Sequence, residues 1–304
     1  MSKDAHLNPG LVVSSHGRHV VVETPEGRRL ICHPRGKKNQ TVVGDRVLWQ
    51  ATRDEGTIER IETRRNLFYR QDEIRTKSFA ANLDQVLILL GAEPEFSERQ
   101  LARALIAAEA ERISPVIVLN KSDLTEPFTR AWERLAPYRG MGYTVLPLSL
   151  QGATAQLEAL RERLGGRTTL VLGPSGAGKS TLINTLVPDA RAATGEISVA
   201  LGSGKHTTTS THWYWVDAAH TTALIDSPGF QEFGLQHIDP MHLARLMPDL
   251  SPWIENCRFY NCTHLHEPGC GVTAEATSPD SAISANRYKI YGELFAELSQ
   301  PRRF

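Results

Sequence analysis

The chain has 304 residues, long enough for two or three domains that each bury a core. Its 40% apolar and 22% charged residues sit near the globular average and exclude wholesale disorder. The net charge of zero hides an asymmetry: residues 1–80 hold 15 Lys/Arg against 10 Asp/Glu, the remainder 19 against 24. That balance suits an amino end facing a polyanion, and fits an unevenly charged solvated surface about as well. No apolar run reaches the ~18–20 residues of a membrane span, and "MSKDAHLNPG" lacks the build of a secretion signal. A soluble cytoplasmic protein without a membrane partner is expected.

Residues 11–62 are predicted to form five short strands, "LVVSS", "HVVVE", "RLICH", "DRVLWQ" and "GTIERIE", broken by Gly- and Pro-containing turns. Five such strands suit a small closed β-barrel, with the OB-fold the commonest candidate. Basic residues crowd its turns and exit: Arg28, Arg29, Arg35, Lys37, Lys38, Arg64, Arg65 and Arg70. Trp49, Phe68 and Tyr69 are candidates for stacking on bases or, alternatively, for the core.

A different rhythm follows. "QVLILLGA" (85–92) and "SPVIVLNKSD" (114–123) are apolar runs of strands buried on both faces. Residues 97–113 have helical spacing, with Leu101, Leu105 and Ala108 on one side. Helix is expected over 128–140 and 154–166, strand over 143–149, 167–174 and 220–230, and an edge strand over 209–218. This alternation predicts an α/β domain with a mainly parallel sheet. From about residue 235 the pattern is helical. The expected division is 1–70, 71–235 and 236–304.

Gly173-Pro174-Ser175-Gly176-Ala177-Gly178-Lys179-Ser180 fits G-x-x-x-x-G-K-[ST], with an apolar strand before it and "STLINTLV" as helix after it. Small residues let backbone N–H groups curl around a phosphate, and the helix presents its positive end. Lys179 is placed for the β- and γ-phosphates, Ser180 for Mg²⁺ and Thr181 for the α-phosphate. In "DSPG", Asp226 ends a strand as a Walker-B aspartate does, and Gly229 offers an N–H to the γ-phosphate. Between these lies "ALGSGKHTTTSTH" (200–212), where Thr207, Thr208 and Thr209 are candidates to cap the metal. Thr208 stands among the candidate catalytic residues with Lys179, Ser180, Asp226 and Gly229.

Asn120-Lys121-Ser122-Asp123 follows a strand, as a base-reading loop does. A carboxylate at 123 accepts both N1–H and N2–H₂ of guanine, and adenine offers no such donor pair. Asn120 can tie this loop to the phosphate loop, the stem of Lys121 can cover the ring, and Ser149 supplies the second base loop. The base loops precede the phosphate loop, so the ordinary order is rotated with no element missing. A parallel sheet tolerates such circular permutation because its termini can be joined and reopened at the surface.

Cys257-x4-Cys262-x-His264-x5-Cys270 is a compact set of three thiols and an imidazole, suited to one structural Zn²⁺. His266 is an alternative ligand, and a disulfide with a spare thiol an alternative arrangement.

Together, "NLDQVLIL", "NKSD", "GPSGAGKST", "GKHTTT", "DSPGF" and the Cys/His cluster closely resemble the bacterial ribosome small-subunit-dependent GTPases. That resemblance spans nearly the whole chain. It implies three parts: an N-terminal OB-fold β-barrel, a central circularly permuted α/β P-loop GTPase domain and a C-terminal helical zinc-binding domain. Further implications are GTP/GDP with Mg²⁺, one Zn²⁺, a monomer, and hydrolysis stimulated by the 30S subunit and its 16S rRNA during late maturation. Phe230 stands where many GTPases place a water-orienting Gln, and the resemblance points to His206 as the substitute. A P-loop metabolic kinase or ATPase, and a nucleotide-stabilised RNA-binding module without turnover, are the competing readings.

Overall fold

A computed structural model describes residues 7–16, 19–35, 41–52, 55–72, 76–152, 154–188, 190, 210–228, 230 and 233–300. The first five strands are β1 (Asn8–His16), β2 (His19–Glu23), β3 (Arg29–Pro34), β4 (Arg46–Ala51) and β5 (Gly56–Ile61). They close on themselves: β1 pairs with both β2 and β4, β2 with β3, β3 with β5, and β5 with β4. Alternate residues point inward, so Val12, Val20, Val22, Cys32, Val47, Trp49 and Ile58 fill the barrel. Gly56 is required by that packing: a Cβ there would lie 2.5 Å from Cys32 Sγ and 2.9 Å from the Trp49 ring.

A hairpin that the sequence pattern did not reveal, β6 (Leu67–Gln71) and β7 (Thr76–Ala81), leaves the barrel. Phe68 and Phe79 are fully buried and meet Phe233 at ring-centroid distances of 5.6 Å each. Two of the three aromatics considered for base stacking are therefore core. Trp49 is 8% exposed with its Nε1–H donating to Pro9 O, and Phe68 is sealed, because each lies on an inward-facing strand position. Tyr69 is half-buried against His237, ring centroids 4.4 Å apart.

Next come β8 (Gln85–Gly91), α1 (Glu98–Ala110), β9 (Ser114–Asn120), α2 (Thr125–Arg134), α3 (Ala136–Gly140), β10 (Thr144–Leu148), α4 (Thr154–Leu164), β11 (Thr168–Leu172), α5 (Lys179–Leu186), β12 (Thr211–Trp215) and β13 (Ala223–Asp226). Strand order is β10-β9-β8-β11-β13-β12, with the first five parallel and β12 antiparallel to β13. Both faces of the sheet are covered. Ile88, Leu90 and Leu119 face α1, while Leu87, Leu89 and Val118 face α4 and α5. The expected edge strand proves to be internal: β12 also pairs with β1, through Ser14↔His212 and Ser15↔Thr211, making one sheet continuous with the barrel.

The C-terminal part opens with two short 3-10 helices, Pro240–Leu246 and Ser251–Asn256. It ends with α6 (Gly271–Ala276) and α7 (Ala285–Leu298). Early prolines and a Cys/His-rich turn replace the longer helices that its pattern suggested. Its apolar residues Leu243, Met247, Leu250, Ile290 and Leu294 belong to the same core as Leu101 and Leu105 of α1. No helix among the described residues is long and apolar enough to cross a membrane.

Candidate nucleotide site and metal centre

Strands β8 and β11 are neighbours whose following helices, α1 and α5, lie on opposite faces of the sheet. A crevice opens at such a point beyond the carboxyl ends of the strands. Here it encloses about 520 Å³, lined by Asn120, Lys121, Asp123, Leu150, Gln151, Gly173, Pro174, Ser175, Gly176, Gly178, Lys179, Ser180 and Thr181. The two loops far apart in sequence thus share one cavity.

On the base-loop side, Asn120 ends β9 and is 4% exposed. Its Nδ2 donates to Ala177 O at 2.9 Å, and its Oδ1 is buried with no partner among the described residues. Gly178 makes this approach feasible: its φ is +100°, and a Cβ there would fall 2.5 Å from Asn120 Nδ2. The Lys121 ammonium donates to Glu93 O. Asp123 accepts from Ser149 Oγ at 2.6 Å, and Ser149 Oγ accepts from Gln151 N at 3.2 Å. Ser149 therefore holds the carboxylate from beneath and does not line the cavity. Nor do Ser122, whose Oγ turns to Gln156, and Ala177, which contributes its carbonyl.

On the phosphate-loop side, β13 lies beside β11 with Asp226 level with Val171, which places its carboxylate in an ion pair with the Lys179 ammonium. Lys77 of β7 donates to Pro228 O at 2.8 Å, within the Asp-x-x-Gly sequence. Burial, and then the charge of Arg70, lowers the pKa of that ammonium. Phe230 is 4% exposed and packed in the core, so it presents no polar group. Gly229, His206 and Thr207 to Thr209 lie outside the described residues. Sequence reasoning missed Leu150, Gln151 and Lys77. Adjacency to Ser149 was a signal for the first two, whereas Lys77 sits in the unrecognised hairpin.

In the C-terminal part, the donor atoms of Cys257, Cys262, His264 and Cys270 all lie within 4.8 Å of one another. His264 Nδ1 is 3.4 Å from Cys257 Sγ and 3.6 Å from Cys270 Sγ, and those two sulfurs are 3.8 Å apart. Tetrahedral Zn–S bonds of about 2.3 Å give sulfur–sulfur edges of about 3.8 Å, so the set fits zinc. None of these cysteines is in a disulfide, and His266 is exposed, outside the cluster. Tyr288 OH and Tyr291 OH donate to His264 O (2.8 Å) and Thr263 O (2.6 Å), fixing the backbone that carries the imidazole.

Four of the basic residues at the barrel exit are ion-paired: Arg29 with Glu23, Arg35 with Glu59, Arg64 with Asp45 and Arg65 with Asp84. Lys37 and Lys38 lie outside the described residues. The excess positive charge of the barrel is thus less available than counting suggested.

A family model described as RsgA GTPase matches residues 61–236. The chain is 73% identical over 299 residues to the small ribosomal subunit biogenesis GTPase RsgA of Variovorax paradoxus (strain S110), covering 97% of this chain and 94% of that one. It is 53% identical over 294 residues to the protein of the same name from Burkholderia pseudomallei (strain K96243), covering 96% and 92%. Among solved structures, YjeQ from Thermotoga maritima superposes with a TM-score of 0.75 at 29% identity, covering 98% of this chain and 100% of that one. YloQ, described as a circularly permuted GTPase, gives 0.71 at 26% identity, covering 100% of both. Fold, loop order and relatives agree, and the chain belongs to the RsgA GTPase family.

Proposed function

We propose that this protein hydrolyses GTP to GDP and phosphate in the shared cavity, as a GTPase of small ribosomal subunit biogenesis. The observation that carries the reading is the Asn120–Ala177 bond, which locks a guanine-type loop onto a phosphate loop 57 residues away. Asp123, pre-set by Ser149, would take the two guanine N–H groups, and the Lys121 stem would cover the base. The backbone of 173–178 would cradle the phosphates, with Lys179 neutralising charge that builds as the bond from the γ-phosphorus to the leaving GDP oxygen breaks. Ser180 and Asp226 are the residues to hold Mg²⁺, which supplies further charge neutralisation when bound. The Thr208 cap, the Gly229 contact and water orientation by His206 complete the proposal. Buried Phe230 cannot orient water, so slow intrinsic turnover is expected.

The division into 1–70, 71–235 and 236–304, one Zn²⁺ on Cys257, Cys262, His264 and Cys270, a monomeric state and a cytoplasmic location belong to the same proposal. So does the partner, the 30S subunit contacted through its 16S rRNA. A kinase reading is not favoured, because Asp123 and Ser149 suit guanine. The test is the GTPase rate with and without 30S subunits. Stimulation of tenfold or more is expected, and an unchanged rate would overturn the assignment of the small subunit as activator.

A further inference from the structure

Three large apolar side chains are exposed among the described residues, and two are adjacent. Tyr260 is 102% exposed and Phe259 40%. Both lie in the four-residue loop between Cys257 and Cys262, so the metal cluster closes the loop at each end. Its backbone is fixed as well. Arg258 N donates to Gly269 O at 3.0 Å, and Cys262 N to Phe259 O at 3.3 Å. The Arg258 stem packs on Gly269, where a Cβ would lie 3.3 Å from Arg258 Cβ, and its guanidinium sits 5.5 Å from the Phe259 ring centroid. Exposed Arg258 has no ion-pair partner among the described residues. A rigid loop thus presents a bare aromatic ring beside an uncompensated guanidinium.

An aromatic ring in water forgoes most of the burial that makes such residues useful, and no described residue covers Tyr260. Unpaired RNA bases meet that need. They stack on aromatic rings without sequence preference, while arginines engage the flanking phosphates. A loop already fixed by the cluster loses little entropy when it binds.

We infer that the Arg258–Phe259–Tyr260 tip is a stacking finger for an unpaired nucleotide of small-subunit RNA, with the Tyr260 ring on the base and Arg258 on phosphate. The inference rests on the small-subunit reading above and names a contact within it. The experiment measures 30S affinity of the full-length, zinc-loaded protein and of Y260A, Y260F and Y260L, with zinc content and intrinsic GTPase as controls. Loss of one stacked base weakens binding about 5- to 100-fold. That loss is expected for Y260A and Y260L, with Y260F within about twofold of the parent and both controls unchanged. Y260A binding like the parent overturns the finger alone. Recovery by Y260L, or crosslinks from a photoreactive side chain at position 260 to ribosomal protein instead of RNA, overturns stacking in favour of protein docking. A parent that fails to bind 30S overturns both readings.

Discussion

The barrel and the zinc module are attached to the GTPase core in different ways. The barrel meets it through two residue pairs of β1 and β12, the Ser14–His212 contact of 3.1 Å, the Trp215 Nε1–H bond to Glu23 of 2.7 Å, and the bonds from Ala81 N to Val43 O (2.9 Å) and Asn82 Nδ2 to Gly44 O (2.8 Å). It adds Val13, Val21 and Val43 to the large shared core. The zinc module merges with that core along α1. Arg287 of α7 bonds Asp249 twice, at 2.8 and 2.9 Å, beneath Tyr138 of α3. Burial alone would lower the Arg287 pKa, but the Asp249 bonds outweigh it and the pKa rises. Arg103 of α1 bonds Phe233 O and pairs with Glu297. The barrel joint, which shares fewer apolar side chains with that core, is the more easily remade of the two, and β12 follows the 191–209 segment that holds the switch-loop candidates. Movement on γ-phosphate loss, if it reaches a flanking domain, should therefore go to the barrel.

The largest effect that separates the two joints is expected from the metal. Structural zinc contributes about 10–16 kcal/mol in small peptides, as much as a typical domain's whole stability. C262S or chelation should therefore unfold the module and, through the common core, strip hydrogen-exchange protection from α1 while sparing the barrel. Unchanged α1 amides would dissolve the distinction. Next is D249A, which strands Arg287 at 2% exposure. A loss of about 3–5 kcal/mol is expected in urea unfolding, read by intrinsic fluorescence. At the barrel joint, E23A removes the acceptor of Trp215 and Arg29, and about 1–3 kcal/mol should go, with faster exchange confined to the barrel and β12. Faster exchange in α1 would show the joints to be coupled.

A last effect, seen only as pH falls, concerns His237, on the segment leading to the zinc module. Both ring nitrogens are buried without a partner among the described residues, and burial pushes its pKa down to about 4. An unfolded chain takes up that proton near pH 6.5, before the folded one does. The contribution is thus present above 6.5 and lost as pH falls toward 4. H237F should show a shallower fall in urea midpoint between pH 7 and 4.5 than the parent. Equal slopes would rule the histidine out.

Most of what carries its chemistry or apolar alternation within a short stretch was legible. The phosphate loop, the base loop and the Cys/His set each carry their chemistry within a dozen or so residues, and alternation of apolar residues placed the five barrel strands. The joints were not legible, because Glu23–Trp215 and Arg103–Glu297 link residues 192 and 194 apart. The hairpin β6–β7 escaped because "LFYRQ" and "TKSFAA" are short and lack clean alternation. With the hairpin went Lys77 and the burial of Phe68. The ion pairs that occupy half of the barrel's counted basic residues depend on acidic partners brought in by strand register.

That one guanine-nucleotide site is assembled from two loops in rotated order is the claim on which the rest depends. Its direct measurement is nucleotide affinity of D123N. An amide at 123 presents an N–H₂ donor that suits the extra carbonyl of xanthine and opposes the guanine N2–H₂. The expected result is a fall in GTP affinity of at least 10-fold with a gain for XTP, the fold unchanged. A variant that keeps the parent's GTP-over-XTP preference would contradict the account.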